Sequence, residues 1–175
     1  MTEELYEKLL HASFRFVSYR PRSEKEIRDF LQKKLKTWKI AGRQTFEKVM
    51  ERLRELEYVD DKKFIQWWVS QRSNFRQKGK RLLVLELRQK GVPQRVIDEA
   101  WEGQNINLEP YNEREAAKQA IAKKLALWQH FPPLERKNKL YGFLGRRGFS
   151  SSVIRQVIDE LMGKSYNTEE ETESI

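Results

Sequence analysis

Apolar residues recur at helical spacing along almost the whole chain, and the breaks between runs predict nine helices. Leu5, Leu9, Ala12 and Phe16 fall on one face of the first. Pro21 cannot continue it and disfavours helical geometry at Arg20. Ser23 opens the second, and Glu26 three residues later predicts a capping box, each side chain satisfying a free amide. Ile27, Phe30, Leu31 and Leu35 form its apolar stripe. Gly42 interrupts, and Phe46, Val49, Met50, Leu53 and Leu56 mark the third. The pattern restarts after Asp60 and Asp61 with Phe64, Ile65, Trp68 and Val69. Gly79 breaks it, Leu83 and Leu87 carry the fifth helix, and Gly91 ends that one as a left-handed cap. Pro93 sits where a first turn tolerates it, ahead of Val96, Ile97, Ala100 and Trp101. A polar linker follows from Glu102 to Pro110. Asn112 and Glu115 repeat the capping pattern before Ala117, Ile121, Leu125 and Trp128. Pro132 and Pro133 break the chain, then Leu140, Phe143 and Leu144 lead to a capping Gly148. Ser150 to Ser152 start the ninth helix, carried by Val153, Ile154, Val157, Ile158 and Leu161.

The restarts are repeats in sequence. LRQKGVPQRVIDEAW from Leu87 aligns without gaps on LGRRGFSSSVIRQVI from Leu144, a shift of 57 residues. A shift of 56 places Leu9 on Ile65, Ile27 on Leu83 and Leu31 on Leu87. The expected fold is therefore all-α, three tandem repeats of a three-helix bundle, over residues 1–59, 60–109 and 110–163. The first copy has Leu35 where the others have glycine, and extra residues from Lys36 to about Thr45 lengthen its second helix or the following loop. Residues 164–175 are polar and acidic and are expected to be a disordered tail. A single small bundle is marginal alone, so neighbours must share surface or rely on a partner to stay ordered. An elongated, curved row of bundles is expected, and such rows offer long binding surfaces rather than catalytic pockets.

Composition narrows the chemistry. The 175 residues include no cysteine, which excludes disulfides, thiolate catalysis and Cys-ligated zinc. No run reaches the length of a membrane span and the N-terminus lacks an apolar signal core, so a cytoplasmic protein is expected; it is expected to be a monomer. His11 and His130 lie far apart; His11 sits beside the first apolar stripe as a structural residue, and His130 near a helix end. Asp60 and Asp61 precede a helix and suit the role of caps. The isolated glycines form no phosphate loop. Neither enzyme activity nor a cofactor or metal is expected. Trp68 fits a core face and Trp67 its edge; Trp38 falls in the first copy's extra segment, and Tyr19 and Tyr58 at helix ends are read as structural. The helices after Gly91 and Gly148 carry Asp98, Glu99, Asp159 and Glu160, which would meet phosphate poorly, so groove-reading of duplex DNA has little support.

Charge points to a partner. Lysine and arginine number 35 against 26 acidic residues, a formal charge of +9. Up to Gly163 the balance is 34 against 22, or +12, because the tail is acidic. The densest basic stretch runs through Arg72, Arg76, Lys78, Lys80, Arg81, Arg88, Lys90 and Arg95, interrupted only by Glu86. The first seven, with Arg146 and Arg147 of the last repeat, are the candidate binding residues for a polyanion or an acidic protein face.

Four segments also resemble the RecX family of bacterial regulators of the RecA recombinase: RPRSEKEIRDFLQKK from Arg20, VMERLRELEYVDDKKF from Val49, LRQKGVPQRVIDEA from Leu87 and RRGFSSSVIRQVI from Arg146. They follow the family's order across Leu5 to Leu161. Glu57 stands where the family commonly has glycine. The resemblance implies tandem three-helix units without catalytic activity. It also implies binding to the RecA–single-stranded DNA filament, with lowered ATP hydrolysis, strand exchange and co-protease activity. Such a protein acts in DNA repair, homologous recombination and the SOS response. The alternative from another class is a non-specific single-stranded DNA-binding protein that competes with RecA for DNA.

Overall fold

The computed structural model describes residues 2–75, 77–102 and 111–170, with side chains over 3–72, 77–102 and 111–163. Among these residues the regular structure is entirely helical: α1 (Thr2–Ser18), α2 (Glu24–Trp38), α3 (Arg43–Glu55), α4 (Asp61–Phe75), α5 (Lys80–Gln89), α6 (Gln94–Trp101), α7 (Glu113–Leu127), α8 (Pro133–Arg146) and α9 (Ser151–Glu170). Three helices fall in each predicted repeat, so the all-α tandem fold is realised. The linker residues 103–110 lie outside the described residues. Helix α9 runs to Glu170, and residues 171–175 lie outside the description.

Compactness divides the chain differently from the repeats. One unit comprises Met1–Trp68 and Glu86–Leu108, the other Val69–Leu85 and Glu109–Ile175. Each terminal repeat is thus completed by a share of the middle one, which answers the marginal stability of a lone bundle.

In the first unit α1 packs on α2 and α3, which also pack on each other. Leu9, Ile27, Leu31, Val49, Met50 and Leu53 are fully buried in one cluster. Burial of this kind stabilises by about 1.5–3 kcal/mol per large aliphatic side chain. The buried face of α1 is turned slightly from the predicted one: Leu10 and Val17 are buried, while Leu5 and Phe16 lie partly exposed at its margin. Ser13, also buried, donates to the Leu9 carbonyl at 2.8 Å and so leaves no unmet hydroxyl. The extra residues of the first copy prolong α2 to Trp38, which packs against the core beneath the Lys8 ammonium. Lys39 then closes the helix with φ 57°, a left-handed cap without glycine. Gly91 and Gly148 do the same for the other copies at φ 79° and 80°.

In the second unit α7, α8 and α9 pack on one another around Ala117, Ile121, Leu140, Leu144, Val157 and Ile158. Asn112 caps α7 by accepting from the Arg114 and Glu115 amides at 3.0 and 3.1 Å. Of the middle repeat, Phe64, Ile65, Trp68, Val69, Leu83, Leu87 and Ile97 are all buried, as their spacing requires.

One joint occurs in both units. In the first, the start of α2 lies on the end of α5: Ser23 Oγ donates to the Lys90 carbonyl at 2.7 Å, and a Cβ on Gly91 would lie 2.5 Å from Lys25 Cβ. In the second, the start of α5 lies on the end of α8. The Gly79 amide donates to the Arg147 carbonyl at 2.9 Å, and a Cβ on Gly148 would lie 2.5 Å from Leu82 Cβ. Lys90 and Arg147 are equivalent at the 57-residue shift, as are Gly91 and Gly148. The cap glycines therefore serve twice, for their left-handed backbone and for the close approach of the next repeat.

Candidate functional site

The joint in the second unit gathers cationic residues from two repeats. The segment 77–79 between α4 and α5 is held from three sides. Tyr111 Oη donates to the Lys78 carbonyl, Arg147 Nη1 donates to the Gln77 carbonyl at 3.2 Å, and the Gly79 amide donates to the Arg147 carbonyl. The Arg81 amide donates to the Gly148 carbonyl at 3.3 Å. Lys78, Lys80 and Arg81 are thereby brought beside Arg146 and Arg147, which the sequence separates by more than sixty positions. Lys80, Arg81 and Arg146 are exposed. The Glu113 carboxylate lies at the margin, accepting from the Lys80 amide at 3.0 Å. Burial, with Glu113 beside it, pushes the Tyr111 phenol up, so it stays a donor throughout the physiological range.

Two of the sequence candidates are chiefly structural. Lys90 lies in the first unit, donating to Glu26 at 2.8 Å and lying 5.4 Å over the Trp68 ring. Arg147, besides holding Gln77, lies 4.5 Å over the Phe143 ring. Arg88 is exposed in the first unit and Arg72 half-buried in the second. Arg76 lies outside the described residues.

A second charged cluster, at the α1–α2 corner of the first unit, escaped the sequence candidates. Arg20 forks onto Glu26 with both terminal nitrogens at 3.0 Å and lies 5.2 Å over the Trp67 ring. Glu26 was expected to complete a capping box with Ser23. Its amide does donate to Ser23 Oγ at 3.2 Å, but its carboxylate turns to Arg20 and Lys90. Burial pushes that carboxyl up, but the hydrogen bonds and charges of Arg20 and Lys90 outweigh it and hold the pKa at about 2. Asp60 caps α4 as predicted, accepting from the Lys62 and Lys63 amides at 2.8 and 3.0 Å. Asp61 instead accepts from the Glu24 amide at 2.9 Å, on the first turn of α2. Burial raises its pKa against that bond, helped by the nearby Glu24 and Asp60 charges. Tyr19, read as structural, is 86% exposed, and His11 is exposed as well. The signal for this corner was legible as Arg20-Pro-Arg22-Ser23, two arginines set by a proline against a helix start.

Among the described residues no three acidic or histidine side chains are placed to share a metal ion, and no helix is long and apolar enough to cross a membrane. The four acidic residues that argued against groove-reading are engaged: Asp98 by Gln94, Glu99 by Arg95 and Lys62, Asp159 by Lys137, and Glu160 by Arg114 and Lys118.

Comparison with known proteins decides the family. The models of the second and third three-helix domains of RecX match residues 60–100 and 112–158. The regulatory protein RecX of Prosthecochloris aestuarii is 34% identical over 162 residues, covering 93% of this chain and 99% of the relative. The chain belongs to the RecX family. The regulatory protein RecX of Thermobifida fusca is 30% identical over 158 residues, spanning 90% of this chain and 80% of the relative. The crystal structure of RecX from Lactobacillus salivarius superposes with a TM-score of 0.73, covering 89% of this chain and 96% of that one. Its 24% identity bears on the fold alone. Gly91 and Gly148 lie inside the matched segments.

Proposed function

We propose that this protein is a regulator that binds the RecA–single-stranded DNA filament and lowers RecA's ATP hydrolysis, strand exchange and co-protease activity. The reading rests on RecX membership and on one observation: Lys78, Lys80, Arg81, Arg146 and Arg147 are gathered from two repeats by a backbone-to-backbone joint. A joint fixed in this way sets the spacing of these residues before a partner arrives, so only their side chains remain to be ordered on binding. Its role would be steering and charge-assisted hydrogen bonds to acidic protein or to the filament's DNA. Arg72 and Arg88 are candidates for lesser contacts. Lys90 contributes by holding the first unit together.

The test is RecA's single-strand-dependent ATPase, titrated with this protein, alongside its binding to the same naked DNA. Inhibition well below the RecA concentration, with weak naked-DNA binding, supports filament recognition. Inhibition only at amounts that coat the DNA overturns it in favour of simple competition. The triple variant K80E/R81E/R146E is expected to lose inhibition while keeping its helical circular-dichroism spectrum; unchanged inhibition would remove this patch from the interface.

A further inference from the structure

The α1–α2 corner of the first unit holds one cation that no carboxylate bonds. Glu26 is taken by Arg20 and Lys90, and Asp61 accepts from the Glu24 amide on the same turn of α2. Arg22 makes no ion pair among the described residues. It is nevertheless held rigidly. Its Nε donates to the Phe16 carbonyl at 3.2 Å, and its guanidinium lies 4.0 Å over the Phe16 ring. Phe16 in turn stacks on Phe30 at 4.2 Å with the planes 3° apart. Burial and the adjacent Arg20 charge both press the Arg22 pKa downward, and Glu26 and Tyr19 only partly offset them. A guanidinium pinned through Nε and one face keeps its two terminal nitrogens as a preorganised fork for an oxyanion. Beside it stands Tyr19, the most exposed of the large apolar side chains described.

The geometry points to this corner as a binding site for single-stranded nucleic acid, with the Arg22 fork on a backbone phosphate and the Tyr19 ring stacked on a base. An open aromatic face next to an uncompensated, immobilised cation is the pairing that single strands use, because a base can stack only once it is unpaired. Duplex DNA offers the phosphate but not the base face. An acidic peptide would satisfy Arg22 but has no use for the ring. The site lies in a different unit from the Lys78–Arg147 patch and does not depend on filament recognition.

Binding of a thymidine oligonucleotide is compared with that of an abasic oligonucleotide of the same length by fluorescence anisotropy on the full chain. Wild type is expected to prefer thymidine. Tyr19→Ala should shrink that preference by about fivefold or more, and Tyr19→Phe should keep it, since stacking needs the ring alone. Arg22→Gln should weaken both ligands alike, and Arg22→Lys should restore part of the loss through charge without the fork. Tyr19 is exposed, so its variants test the site even if those at Arg22 disturb α1. The proposal is overturned if wild type shows no preference, or if Tyr19→Ala matches it. It is also overturned if Arg22→Gln and Arg22→Lys lose filament binding while both oligonucleotides bind as before, which would make the corner a protein contact. K80E/R81E/R146E should retain the thymidine preference whether or not it inhibits RecA, which separates the two readings.

Discussion

Ser23 Oγ, with no solvent exposure, donates to the carbonyl of Lys90, 67 positions further along the chain, at 2.7 Å. The same oxygen accepts from the Glu26 amide at 3.2 Å. One hydroxyl therefore caps α2 and holds the end of α5 against it, so local and tertiary structure share a single atom. Ser23→Ala removes both bonds and leaves a half-buried carbonyl short of a donor. The expected cost is about 1–3 kcal/mol, read as a lower urea midpoint with an unchanged slope.

Glu26 makes the same region acid-sensitive. Its folded pKa of about 2 lies below the ordinary value of 4.5, so its stabilisation is complete above about pH 4.5 and fades as the pH falls toward 2. The linked free energy is at most about 3 kcal/mol. Glu24, held low against its burial by Arg28 and Arg54, acts in the same direction. Asp61 acts oppositely: its raised pKa means stability is lost as the pH rises through it. Urea unfolding between pH 3 and pH 7 should show a steep acid limb in wild type. Glu26→Gln should lower the plateau and flatten that limb, whereas Asp61→Asn should be tolerated at neutral pH.

Backbone strain gives a third outcome. Glu57 holds φ 58° just after α3, at the position where the RecX resemblance expects glycine. Its carboxylate meets Lys63 at 2.5 Å, but both side chains are largely exposed and such a pair adds little. Glu57→Gly should therefore raise stability by about 1 kcal/mol, measured as a higher thermal midpoint. Gly148→Ala should do the reverse and cost more. Besides φ 80°, its Cβ would lie 2.6 Å from the Leu82 amide nitrogen, which cannot swing away as a side chain can.

The helices and the three-fold repeat were legible because period and punctuation are local properties: Pro21, Gly91, Gly148 and the Asn112 cap act within a turn of where they stand. What the sequence could not convey was which charges are consumed in joining repeats. Lys90 and Arg81 look alike in a basic run, yet one turns inward to Glu26 while the other is exposed. Glu26 was legible as a capping residue because Ser23 stands three positions before it; its true partners come from before Pro21 and from the middle repeat. Compact units that cut through α4 and α5 are likewise a property of packing between repeats and leave no mark on periodicity.

That division among the basic residues can be measured. Lys90→Met strips one of two partners from Glu26 and should cost about 1 kcal/mol of stability. Arg147→Ala loses the bond to the Gln77 carbonyl and the stack on Phe143, for about 1 kcal/mol as well. Arg81→Ala and Arg146→Ala alter exposed side chains and should stay within about 0.5 kcal/mol of wild type. In filament binding the order should reverse: Arg81→Ala and Arg146→Ala weaken inhibition and reduce its salt dependence, while Lys90→Met, assayed where it is folded, inhibits as wild type does. Losses of inhibition that track lost stability across all four would mean that folding alone is being read and that the patch makes no contact of its own.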